Sequence, residues 1–173
     1  MASLPDDYQH TWGDFAYDAV YAGAIGGSIV ALFFLALDTL LGRPLFTPSL
    51  MGTVLFQGAT ASEVTRVSLD MVGLYSLVHI SSFGILGCLV AFAVRETELH
   101  SKNPFGVMLG LFAFFEWGFF ITTLVAMPGV MAVLGIARVA LANLLAAGGI
   151  ALFLTKQHDP QTWKLVKDVL HLA

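Results

Sequence analysis

Four apolar runs, each long enough to cross a lipid bilayer, constrain this chain more than any other feature. They cover residues 19–42, 71–94, 105–126 and 129–155. A helix rising 1.5 Å per residue needs about 20 residues to cross roughly 30 Å of hydrocarbon. Backbone groups in that medium must be bonded within their own segment, so each run is read as a helix. Breakers fall between the runs: Gly42-Arg43-Pro44, then Arg95-Glu96-Thr97-Glu98 and Asn103-Pro104, then Met127-Pro128-Gly129. The last of these is a tight turn and makes the third and fourth helices antiparallel neighbours. The fold class is an all-α, four-transmembrane-helix bundle, with residues 1–173 as a single membrane domain.

Charge supports the same reading. Only 12% of residues are charged, against about 25% in soluble domains. The net charge of −4 leaves no basic patch, which excludes nucleic acid as a partner. The single cysteine, Cys88, allows no internal disulfide and reads as a small buried apolar side chain. The first residues are acidic and lack a basic start, and the first apolar run exceeds a signal-peptide core. No cleavable export signal is expected.

Lys and Arg distribution sets the expected orientation. Arg95, Lys102, Lys156, Lys164 and Lys167 lie on one side, and Arg43 and Arg66 on the other. The bias places both termini in the cytoplasm. In the long outer loop, Thr47-Pro48 reads as an N-cap followed by proline at the first helical position. Leu50 with Val54 and Met51 with Leu55 make an apolar stripe, closed by Gln57-Gly58. A short interfacial helix over the outer mouth of the bundle is expected. Thr60 and Glu63 have capping-box spacing, which predicts a second short helix before the second span. The tail, 160–173, sets Lys164, Lys167, Asp168 and His171 against Trp163, Val166, Val169 and Leu170. That pattern predicts an amphipathic C-terminal helix at the cytoplasmic interface or docked on a partner.

Ionisable groups inside apolar runs are costly and mark the candidate site. Asp38, His79, Glu116 and Arg138 each fall in a different run. Glu116 lies 12 residues before Pro128 and Arg138 lies 10 after it. On antiparallel helices that places the two within roughly 3 Å in depth, which predicts an ion pair. Alternatively, Arg138 snorkels outward. His79 counts to about 12 Å below the outer surface and Asp38 to about 6 Å, so all four are expected in the outer half. Asn143 shares the Arg138 face.

His79 reads in three ways: a buried histidine bonded to a carbonyl or to Glu116, a metal or haem ligand, or a proton-relay group. His79, Glu116 and Asp38 are a donor set that a divalent metal accepts. No other histidine lies in a run, against bis-histidine haem, and no Glu-x-x-His pair supports a di-metal centre. Asp38 also reads as a solvated helix-end carboxylate.

Gly23, Gly26 and Gly27 form a small-residue seam in the first run, and Gly106 with Gly110 a second in the third. Such spacing lets helices approach closely, within a bundle or with a partner. Phe112, Phe114, Phe115, Trp117, Phe119 and Phe120 surround Glu116 and read as lipid-facing bulk or as the walls of an apolar pocket.

Three stretches carry a resemblance: Gly42-Arg43-Pro44-Leu45-Phe46-Thr47-Pro48, Val78-His79-Ile80 and Phe114-Phe115-Glu116. With them the chain resembles bacterial four-helix integral membrane proteins. The resemblance implies a bacterial inner membrane. It brings no activity, cofactor or site residue with it.

No catalytic signature is present. The functional expectation is an accessory or structural subunit of a larger membrane complex, in contact with lipid and with other membrane subunits or copies of itself. The alternatives are a metal- or haem-binding redox or proton-relay protein using His79, Glu116 and Asp38, and a small oligomeric transporter coupled through Glu116 and Arg138.

Overall fold

The computed structural model describes residues 12–98, 104–158, 163–164 and 167–168. Its elements are α1 (Trp12–Leu40), α2 (Phe46–Gln57), a 3-10 turn (Ala61–Glu63), α3 (Leu69–Glu98), α4 (Pro104–Ala126), α5 (Val130–Leu134) and α6 (Ile136–His158). Every regular element among the described residues is helical. Four helices are long and apolar enough to cross a membrane: Trp12–Leu40, Leu69–Ala93, Leu109–Ala126 and Ile136–His158.

The chain folds as alternating antiparallel helices. α1 packs on α3 along one side and on α6 along the other, and α6 carries α4. α3 and α4 meet through Phe83 and Phe115, whose ring centroids are 6.1 Å apart. The glycine seam on α1 explains the α1–α3 approach. A Cβ at Gly23 would stand 2.5 Å from the Phe83 carbonyl oxygen, and one at Gly87 would run into the Ala19 carbonyl oxygen. Gly26 meets Phe83 and Ile150, so the seam serves both neighbours of α1. In α4, by contrast, a Cβ at Gly110 would meet nothing, and Gly106 is exposed. The second glycine pair therefore faces outward.

Two apolar clusters fill the bundle. At one end, Phe34, Leu50, Met51, Val130, Leu134 and Val139 gather α1, α2, α5 and α6. Towards the other, Ala22, Val90, Phe115, Ala146, Ile150 and Leu154 join α1, α3, α4 and α6.

Three expectations need correction. First, α2 begins at Phe46 and not after Thr47, with Leu45 in the left-handed conformation at its N-cap (φ 64°). Its Leu50, Met51 and Val54 are buried, and Gly52 abuts the Met71 backbone, so α2 is wedged into the bundle end against α3. Second, the Thr60–Glu63 box does not form: Thr60 makes no side-chain cap, and the turn closes through Glu63 N–H donating to the Thr60 carbonyl. Third, the fourth run is not one helix. Gly135 adopts φ 84°, ψ 125°, which separates α5 from α6 and suits glycine because it has no Cβ. The tail expectation, 160–173, lies largely outside the described residues, of which Trp163, Lys164, Lys167 and Asp168 are helical.

Candidate functional site

Asp38 joins two helices. α1 ends in a Schellman turn: Arg43 N–H donates to the Asp38 carbonyl and Gly42 N–H to the Thr39 carbonyl, with Gly42 at φ 70°. The Asp38 carboxylate then accepts from the Thr47 backbone N–H at 2.6 Å and from the Thr47 hydroxyl at 2.9 Å. A helix start leaves its first N–H groups without intrahelical partners. In α2 they are all accounted for: Phe46 N–H donates to Arg43, Thr47 N–H to Asp38, Pro48 has none, and Ser49 N–H reaches Leu45. The positive end of the α2 dipole also favours a carboxylate here. Asp38 is only 4% exposed, so it is not the solvated helix-end group that its position in the sequence allows.

His79 bonds to the neighbouring helix. Its Nε2 lies 3.0 Å from the Gly27 carbonyl oxygen on α1. A carbonyl only accepts, so Nε2 carries the hydrogen, and in the neutral ring Nδ1 keeps a lone pair. The imidazole is flanked by Phe83, with centroids 4.7 Å apart, and by Tyr75, at 6.2 Å. α3 starts at Leu69, so His79 lies about 15 Å along it. Gly27 is nine residues from Asp18 and eleven from Asp38, so this bond sits near the middle of α1.

Glu116 does not pair with Arg138. Its Oε2 accepts from the Asn143 side-chain amide at 2.9 Å. The break at Gly135 explains the difference. Residues 130–135 are spent on α5 and the linker, which leaves Arg138 in the first turn of α6, exposed and folded back over Gly135. Asn143, buried and about two turns into α6, takes the place facing α4. Of the aromatics near Glu116, Phe115 is buried, while Phe114, Trp117 and Phe120 are exposed.

A fourth contact escaped the sequence reading. His158 Nε2 lies 2.9 Å from Asp18 Oδ2 and ties the end of α6 to α1. Both residues lie just outside the apolar runs at 19–42 and 129–155, where an ionisable group does not stand out. In the structure α1 extends to Trp12 and carries Asp18 onto the helix face that packs on α6. Asp18 and Asp38 are 20 residues apart, about 30 Å along α1. The two buried aspartates thus bracket a segment of roughly hydrocarbon thickness.

The polar residues therefore do not form one centre. Asp38 is bound to Thr47, His79 to Gly27 and Glu116 to Asn143, while Arg138 stands apart. The expected metal set of His79, Glu116 and Asp38 is not assembled. Among the described residues no group of three His, Cys, Asp or Glu side chains is placed to hold a metal ion.

A chamber of about 300 Å³ opens between α1, α2 and α3. Its lining is mostly apolar, with Thr47, Tyr75, Ser76 and His79 as the polar members and no Asp, Glu, Lys or Arg. Thr47 donates its hydroxyl hydrogen to Asp38 and Ser76 to the Val72 carbonyl. Tyr75 was not anticipated as a site residue.

The chain matches no family model, no curated protein and no solved structure. Residue roles rest on the geometry alone.

Proposed function

We propose that this is a non-catalytic integral membrane subunit that associates through the outer face of α4, with a second copy of itself or with another membrane subunit. The observation that carries the reading is the state of α4. It is the least buried of the four long apolar helices, with 11% of its apolar window inside the chain. Gly110, Phe114, Trp117 and Ile121 recur at helical spacing along one exposed face, and Trp117 is 65% exposed. A glycine with open space above it, beside bulky side chains, gives another helix a place to approach closely. Meanwhile, among the described residues, the carboxylates of Asp18, Asp38 and Glu116 are each engaged by a side chain or backbone N–H from another helix. The bacterial inner-membrane setting and cytoplasmic termini belong to the same proposal, on the Lys and Arg bias and the sequence resemblance.

The test is site-directed crosslinking in native membranes, with Cys88→Ser to remove the native thiol, which is exposed and not buried as its place in an apolar run suggests. Gly110→Cys is expected to give a crosslinked product, and Leu32→Cys on the outer face of α1 is not. A product of twice 18.6 kDa identifies a second copy, and any other discrete mass a different subunit. A chain that stays monomeric at both positions overturns the reading.

A further inference from the structure

We propose that the chamber between α1, α2 and α3 binds a neutral, membrane-dissolved lipid that carries a single hydroxyl on an alkyl or isoprenoid body. The route of entry comes from the rim. Leu32, Leu35 and Ile80 line the chamber and are also exposed on the outer surfaces of α1 and α3. These surfaces belong to helices apolar enough to cross a membrane, so the opening faces the lipid phase and not water. The volume, about 300 Å³, is at the small end of ligand sites, which run from about 300 to 1,000 Å³. It accepts a head group and the first part of a chain, with the remainder trailing into the bilayer.

The lining decides the head group. With no Lys or Arg in the wall, a phosphate or carboxylate would be buried without a counter-charge, which is costly. Thr47 and Ser76 have spent their hydroxyl hydrogens and keep only acceptor lone pairs, which leaves His79 and Tyr75 to set the donor and acceptor pattern. His79 spends its Nε2 hydrogen on Gly27, so its Nδ1 lone pair is left to accept. The Tyr75 hydroxyl makes no hydrogen bond among the described residues, although Tyr75 lines the chamber. An acceptor and a donor on the same helix, one turn apart, complement a hydroxyl, which both donates and accepts. A ketone would satisfy only Tyr75, and an alkane neither.

The experiment uses the full chain in nanodiscs with three photoreactive diazirine probes of equal length: hexadecanol, hexadecane and palmitic acid. Labelled sites are read by mass spectrometry, with unlabelled hexadecanol as competitor. The alcohol is expected to label the segments around Leu35 and Ile80 several-fold more than the other two, and to be competed away. Tyr75→Phe is expected to lower alcohol labelling about two- to tenfold, the value of one hydrogen bond, and to leave the alkane unchanged. Ala31→Phe fills the chamber from an exposed position and is expected to reduce alcohol labelling at least fivefold. Leu35→Trp at the rim repeats that test should Ala31→Phe fail to fold. Equal labelling by alcohol and alkane, preferential labelling by the acid, or labelling indifferent to the blocking variants overturns the proposal.

Discussion

The imidazole Nε2 of His79 stands 3.0 Å from the carbonyl oxygen of Gly27, across the interface between α3 and α1. The contact depends on the glycine seam. A Cβ at Gly27 would lie 3.1 Å from the Phe83 ring, which is tilted beside His79, and one at Gly23 would stand 2.5 Å from the Phe83 carbonyl oxygen, so larger residues along the seam would push α3 away. The small residues bring the helices together, and the histidine then fixes their register. Hydrogen bonds between helices in membranes average about 0.6 kcal/mol, with a maximum near 1.7. His79→Ala is therefore expected to destabilise the protein by about 1 kcal/mol in SDS unfolding from mild detergent. A polar replacement that restores the donor, His79→Gln, should recover part of the loss.

Asp38 presents a different case, because its carboxylate serves a helix other than its own. Losing an N-cap acceptor costs about 0.5–2 kcal/mol. Asp38→Ala should therefore raise amide exchange locally in 46–50 while α1 stays protected. Thr47→Val keeps the backbone donor and removes only the hydroxyl, so its effect should be the smaller of the two. Equal exchange in all three proteins would show that Asp38 does not hold α2.

Glycines on the two faces should respond in opposite ways. At Gly87 an added Cβ runs into the Ala19 carbonyl oxygen of α1, and backbone cannot yield as a flexible side chain can. Overpacking of this kind costs about 1–3 kcal/mol, so Gly87→Ala should lower the unfolding midpoint markedly. Gly110→Ala meets open space and gains helix propensity, worth up to about 1 kcal/mol. Its monomer stability should be unchanged or higher, while Gly110→Leu should weaken association at the α4 face without unfolding the chain.

The four apolar runs were legible because hydrocarbon thickness imposes a minimum length and forces each run to bond internally. The α1 seam at Gly23, Gly26 and Gly27 was legible for a similar reason: only small residues permit that approach. What failed was depth counting through the fourth run. It assumed a straight helix from Pro128, whereas Gly135 at φ 84° interrupts it and sets Arg138 at a helix start. Asn143 gave the weaker signal because an uncharged amide costs less to bury and stands out less. Asp38 was read as a helix end, which is correct for its backbone. That its carboxylate caps a second helix nine residues on depends on the chain reversal at Gly42, which local pattern does not specify.

The central claim is that the polar residues in these helices act as separate pairs and not as one centre. Double-mutant cycles on unfolding free energy test it most directly. Glu116→Ala with Asn143→Ala should show coupling of about 0.5–1.7 kcal/mol. Glu116→Ala with Arg138→Ala, and Glu116→Ala with His79→Ala, should be additive within about 0.5 kcal/mol. Coupling above about 1 kcal/mol between Glu116 and either Arg138 or His79, with none to Asn143, would contradict the account.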